Sequence, residues 1–371
     1  MTARSNRFAR LANIFTAPWG ILGVGAFIGV FAALLQHWGN PGNMGICVAC
    51  FERDIAGALG LHRAGVVQYL RPEIIGFVLG SLIAAYSFRE FRPRAGSAPV
   101  VRFVLGALAM IGALVFLGCP WRGMLRLAGG DGNAILGLLG LIGGIWIGAR
   151  FLKAGYSLGR AEKTHTSVGW ILPLIMLGFL ALLLANPQIE GQDKSGVLFY
   201  SLKGPGAAHA PLAISLAVGL AIGFLAQRSR FCTMGAFRDM ILFRQAHLLW
   251  GVIGLATAAF GTNLILGQFH PGFVAQPVSH TVSLWNFGGM VLAGLAFALA
   301  GGCPGRQLFL AGEGDGDAVI FVLGMIFGAA LAHNFQLASS PQGVGPHGVA
   351  AVIIGLAVCF FIGLTMRKKY A

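Results

Sequence analysis

Gly118-Cys119-Pro120-Trp121-Arg122, followed by Asp131-Gly132, returns 184 positions later as Gly302-Cys303-Pro304-Gly305-Arg306, followed by Asp315-Gly316. The step from cysteine to arginine is 3 residues and from cysteine to aspartate 12 in both copies. A second motif precedes each. Cys47-Val-Ala-Cys-Phe-Glu-Arg53-Asp54 and Cys232-Thr-Met-Gly-Ala-Phe-Arg238-Asp239 are both Cys-x5-Arg-Asp, 185 positions apart. Two independent motifs, in the same order and at nearly the same offset, mark an internal duplication.

Long apolar runs separate the motifs. Of the 371 residues, 56% are hydrophobic and only 10% charged, and the mean hydropathy is +0.77. Soluble domains carry about 25% charged residues, so a soluble enzyme is excluded, and the apolar fraction excludes disorder. A net charge of +14 with a pI near 10.2 raises the possibility of nucleic-acid binding. The basic residues, however, sit in short clusters between apolar runs, as in polytopic membrane proteins. The expected partner is a lipid bilayer and not nucleic acid.

A spanning helix needs about 20 mostly apolar residues. Ten candidates lie at 18–38, 70–88, 100–118, 131–151, 168–185, 211–226, 247–268, 284–302, 316–334 and 348–366. The expected fold is an all-α integral membrane protein, a bundle of about nine to ten transmembrane helices. The start of the chain does not read as a signal peptide, because its apolar run is long and lacks a small-residue cleavage site. With the N-terminus inside, cytoplasmic segments collect 19 of the 26 Lys and Arg, including Arg4, Arg7, Arg10, Arg367, Lys368 and Lys369. The other side keeps seven, so both termini are expected in the cytoplasm.

Five spans per copy is an odd number, so the second copy inserts upside down. Residues 1–185 form the first repeat, 186–210 a polar linker, and 211–371 the inverted second repeat. Inverted repeats are usual in transporters, with the substrate site near the midplane where the halves meet.

Gly-Cys-Pro reads as a helix start, since proline is favoured at the first helical position. Cys119 and Cys303 then cap helices, beside unpaired backbone N–H groups and the positive end of the dipole, where anions bind. Cys47 and Cys232 recur with them, whereas Cys359, mid-span and outside any motif, reads as packing. Cys47 and Cys50 make a lone Cys-x-x-Cys. Zinc typically needs two such pairs, and Gly235 stands where a second Cys50 would be, so neither a metal nor a cofactor is expected. Arg53 with Asp54 and Arg238 with Asp239 read as ion pairs, since charge at membrane depth must be matched. Asp131 and Asp315 read as N-caps of the spans that follow. Arg122 and Arg306 are candidates for drawing an anion to the entrance, or for holding the helix turn. The nine histidines receive no role.

On the segments around Cys47, Cys119, Cys232 and Cys303 the chain resembles the YeeE/YedE family of inner-membrane sulfur-compound transporters, most of all its selenium-metabolism branch (YedE/FdhT). The resemblance implies an hourglass of helices with four short re-entrant helices dipping in from both sides, in a bacterial inner membrane. It implies that one of the ten spans is shorter or re-entrant. It further implies that Cys47, Cys119, Cys232 and Cys303 lie at the short helices' tips and pass thiosulfate along by transient hydrogen bonds.

Thiols suit such a relay, because a neutral S–H is a weak donor and conduction needs weak, multiple sites. The expected substrate is a small selenium- or sulfur-containing anion, moved without catalysis. A membrane thiol enzyme working at Cys47 and Cys50 is one alternative. Another is a docking subunit that hands selenium or sulfur to a small cytoplasmic carrier protein. The topology is tested by labelling engineered cysteines: those in 91–98 and 154–165 are expected to react only from the cytoplasm, those in 188–208 only from outside.

Overall fold

The computed structural model describes residues 14–367. Arg4, Arg7, Arg10, Lys368 and Lys369, which enter the charge count, lie outside the described residues. Fourteen helices carry the fold. They are α1 (Pro18–His37), α2 (Val48–Ala58), α3 (Pro72–Ser87), α4 (Pro99–Phe116), α5 (Pro120–Ala128), α6 (Asn133–Lys153), α7 (Ile171–Ala185), α8 (Leu212–Ser229), α9 (Thr233–Phe243), α10 (Leu249–Ile265), α11 (Ser283–Ala300), α12 (Pro304–Gly312), α13 (Gly316–Asn334) and α14 (Gly348–Thr365). A single turn at Thr166–Gly169 precedes α7, and two pairs of two-residue strands lie in loops. This is an all-α, multi-pass membrane protein.

Ten of these helices coincide with the ten expected spans to within three residues at each end. Seven are long and apolar enough to cross a bilayer unaided, while α3, α7 and α10 are shorter, at 15–17 residues. The other four, α2, α5, α9 and α12, have 9–11 residues and begin straight after a motif cysteine. Prolines at the first turn of α1, α3, α4, α5 and α12 set the start of each without sacrificing a needed N–H.

The packing crosses between the halves of the chain. Helix α1 lies on α10, and α8 lies on α3; α6 lies on α11, and α13 on α4. Helices α4 and α11 pack on each other at the centre. Each crossing is a close backbone approach through glycine, as expected where lipid removes the hydrophobic drive and small residues let helices touch. A methyl added at Gly25 of α1 would lie 1.9 Å from the Gly251 carbonyl oxygen of α10, and one at Gly223 of α8 would lie 2.3 Å from the Phe77 carbonyl oxygen of α3.

Loop contacts define two faces. On one, Ala210 N–H donates to Asn40 Oδ1, Gly206 N–H to the Val66 carbonyl, Gly272 N–H to that of Gly130, and Asn334 Nδ2 to that of Leu61. On the other, Arg92 N–H donates to the Glu313 carbonyl, Thr164 N–H to that of Pro93, and Arg228 pairs with Glu90 at 2.8 Å. Burial pushes the Glu90 carboxyl up, but hydrogen bonds from Gln227 and Arg228 and the charges of Arg228 and Arg230 outweigh it and hold the group below the usual glutamate range.

Residues 186–210 do more than connect. Ser201 exchanges two hydrogen bonds with the Gln68 backbone, and Arg71 reaches the carbonyls of Pro205 and Ala208. The segment is stitched over the loop that follows α2.

The glycine crossings yield a paired test. Gly223→Ala drives a methyl into backbone and is expected to cost about 2 kcal/mol. Gly178→Ala, on the exposed side of α7 with nothing within 4 Å, is expected to be neutral or stabilising, since alanine is the better helix former. Thermal unfolding in one detergent compares them.

Candidate functional site

Each motif cysteine is the N-cap of a short helix: Cys47 of α2, Cys119 of α5, Cys232 of α9 and Cys303 of α12. All four have extended backbone dihedrals, as the capping position requires. In α2 and α9 the sulfur itself accepts a helix N–H, from Cys50 at 3.3 Å and from Gly235 at 3.2 Å. In α5 and α12 the cysteine side chain does not cap, and proline removes one of the orphan donors.

The four caps meet two by two. Cys47 Sγ lies 3.7 Å from Cys119 Sγ, and Cys232 Sγ lies 3.8 Å from Cys303 Sγ. All four are free thiols and buried; Cys232, at 6%, is the most exposed of them. Each pair thus joins the positive ends of two short helices around two weak S–H donors. Cys50 is also buried, with its sulfur 3.7 Å from the Arg122 guanidinium. Cys359 is buried within α14, in the apolar core. Among the described residues no group of three His, Cys, Asp or Glu is placed to hold a metal.

The charged motif residues differ between the halves. Arg53 pairs with Asp54 at 2.7 Å, and Asp54 also holds Arg71 at 2.8 Å, all three buried. Arg238 pairs with Asp239 at 2.8 Å, but both are partly open. Arg122 is wholly buried and donates to the carbonyls of Asn43, Leu117, Pro277 and Val278. It clamps three chain segments together. Arg306 makes one ion pair, with Glu313 at 3.2 Å. Asp315 caps α13 through Ala318 N–H as its position predicted. Asp131 sits one residue ahead of the cap, which is Gly132. From there it accepts from Asn133 N–H and Nδ2 and binds Arg126 at 2.7 Å.

Two residues at the site escaped the comparison of repeats. Arg126 joins Asp131, the Phe116 carbonyl and Ser279 while fully buried. Trp121 packs among Phe77, Phe231 and Phe309. Their counterparts at the 184-residue offset are Leu310 and Gly305, so identity between copies could not point to them. On the face of loop 59–71, a cavity of about 490 Å³ has Arg53, Leu117, Val278 and His333 in its wall. Leu117 is two residues from Cys119 in the chain.

Residues 228–366, which carry Cys232 and Cys303, match the family described as sulphur transport. The match lies within the second half of the chain. It is 30% identical over 100 residues to the thiosulfate transporter TsuA of Escherichia coli K12, covering 27% of this chain and 28% of the relative. It is 29% identical over 182 residues to the probable transporter YedE of Salmonella typhimurium LT2, covering 43% of each. The chain spans less than half the length of these curated relatives in the matched regions.

The two arginines differ in how much structure they hold. Arg122→Gln leaves buried carbonyls without a donor and is expected to cost about 3 kcal/mol. Arg306→Gln removes one pair from Glu313, which Arg230 also approaches at 3.6 Å, and is expected to cost about 1 kcal/mol or less. Thermal unfolding of the two purified variants measures the difference.

Proposed function

We propose that this protein moves a small sulfur- or selenium-containing anion, of the thiosulfate type, across the bacterial inner membrane, handing it along Cys47, Cys119, Cys232 and Cys303. The observation that carries the reading is the pairing of these thiols at four helix N-termini. An anion entering from the face of loop 59–71 meets Cys47 and Cys119 together, and one leaving toward Glu90 and Glu313 passes Cys232 and Cys303. Each stage offers dipoles and weak S–H donors instead of a full positive charge, so the anion is held without being trapped. The arginines nearby are already engaged by carbonyls and carboxylates, which keeps the path itself free of strong anion traps. The names of the relatives, thiosulfate transporter and probable transporter, support the substrate class.

In this reading residues 1–185 and 211–371 are two inverted repeats joined by 186–210. The criss-cross of α1 on α10 and α8 on α3 supports that symmetry. The orientation follows the exposed charge. Of the seven basic residues assigned to the outside, Arg53, Arg71, Arg122 and Arg126 are buried in ion pairs or on carbonyls, which leaves Arg63, Lys194 and Lys203 exposed there. The positive-inside bias is therefore sharper than the raw count. Arg53, Asp54, Arg238 and Asp239 serve as supports that hold α2 and α9.

Uptake of radiolabelled thiosulfate and selenite into proteoliposomes of the purified protein tests the proposal directly. Cys119→Ala and Cys303→Ala are expected to abolish uptake with folding intact, and Cys359→Ala to leave it near wild type. If Cys359→Ala were as damaging as the motif changes, loss of thiols would be acting through packing and the relay would fall.

The part played by Cys50 is tested separately. A redox mechanism needs a second thiol to resolve the first, whereas a relay needs a donor only at position 47. Cys50→Ala is expected to retain most uptake, Cys47→Ala to lose it, and Cys47→Ser to keep a part through its hydroxyl donor. Equal loss in both alanine variants, with a Cys47–Cys50 disulfide trapped during turnover, would favour a thiol enzyme.

A further inference from the structure

Trp121 stands two residues after Cys119, in the first turn of α5, and is 1% exposed. Its ring lies 5.5 Å from that of Phe231, the residue before Cys232, 5.9 Å from Phe77 of α3 and 6.1 Å from Phe309 of α12. A methyl at Gly305, two residues after Cys303, would come within 3.0 Å of the indole Cζ2. The indole is therefore anchored beside one thiol pair and touches the chain at both members of the other. In the second half the matching position is Gly305, which leaves the room that the single ring fills.

The polar edge of this ring is unsatisfied. Trp121 Nε1 is buried without a hydrogen-bond partner among the described residues. Buried indole N–H groups usually find an acceptor, and the rings of Phe77, Phe231 and Phe309 carry no oxygen or nitrogen that could serve as one. An N–H left free in an apolar collar, between two sets of weak anion sites, is matched by a small anion in passage.

We propose that Trp121 is the gate between the Cys47–Cys119 and Cys232–Cys303 pairs, its ring closing the path and its indole N–H donating to the anion as it crosses. The proposal rests on the transport reading above. With no anion present, the aromatic collar excludes water and ions, as apolar constrictions do. When an anion arrives at Cys119, the indole offers the next donor on the way to Cys303. The ligand class is a small oxyanion or sulfur-centred anion that accepts a hydrogen bond. Trp121 is thus a fifth, non-thiol substrate-binding residue, present in one repeat only.

Two variants in oriented proteoliposomes test the two parts. Trp121→Leu removes the bulk of the ring, and Trp121→Phe keeps most of the ring but removes the N–H. A small charged methanethiosulfonate reagent is added on the side of loop 59–71, and labelled cysteines are read by mass spectrometry. In the wild type, Cys232 and Cys303 are expected to resist the reagent. In Trp121→Leu their labelling is expected to rise at least about tenfold, and in Trp121→Phe to stay near wild type. Unchanged labelling in Trp121→Leu overturns the gate. In the same vesicles, thiosulfate uptake by Trp121→Phe is expected to fall about tenfold, the scale of one lost hydrogen bond to a charged group. Wild-type uptake in that variant overturns the donor role. Absence of uptake by the wild-type protein sinks the transport reading itself, while the labelling comparison still decides whether Trp121 closes the path.

Discussion

A helix that begins in the protein interior exposes N–H groups that water does not reach, and this protein begins four helices at buried cysteines. Nearly everything at its centre answers that one constraint. Cys47 and Cys232 turn their sulfur onto the helix N–H three residues on. Pro120 and Pro304 remove a donor that would otherwise be orphaned. What remains is a set of aligned dipoles, positive end inward, at two places where thiols meet in pairs. A broken helix in a membrane is tolerated only where protein or a cavity covers the break, and here the long helices supply the cover. They pack so closely through glycine that backbone meets backbone.

The two sets of motifs share a plan but not every residue. Arg122 and Arg306 have equivalent positions in the motif. One is sealed among four carbonyls and the other makes a single pair with Glu313. Arg53 and Asp54 lie buried with Arg71, while Arg238 and Asp239 are partly open on the opposite face. Trp121 faces Gly305. A side chain at Gly305 would meet the Trp121 indole, so the space holds one large ring and not two. Away from it the pattern persists. Asp131 meets the loop at Gly272, and Asp315 meets the loop at Arg94, so each half is latched by the other.

The spans and the helix starts were legible because their signals are local. Apolar length marks a bilayer-crossing helix, and Gly-Cys-Pro marks a helix start, whatever lies around them. The partner of each cysteine was not legible. Cys47 lies 3 residues from Cys50 in the chain yet its sulfur meets that of Cys119, 72 residues away. Repeat comparison finds what both copies keep and passes over what one copy has alone, which is why Arg126 and Trp121 escaped it. The stretch 186–210 carries no periodic signal. Its polar character marked it as a linker, and its backbone groups are bonded to Asn40, Val66, Gln68 and Arg71.

Sulfur, not nitrogen, supplies the side-chain donors at the four helix starts. A string of guanidinium groups along the path would bind an oxyanion by charge-assisted, often bidentate hydrogen bonds and release it slowly. This chain has buried arginines close to the proposed path, but each is occupied. Arg122 holds carbonyls, Arg126 holds Asp131, and Arg53 and Arg71 share Asp54. Their positive charge contributes to the surrounding potential while their donors stay out of reach. On the proposed path the groups left to touch an anion are thiols, helix N-termini and one indole, all neutral. Binding at any one of them is weak, and the short spacing within each pair makes the next site available before the last is given up. That combination favours passage over capture, which is what a conducting pathway requires.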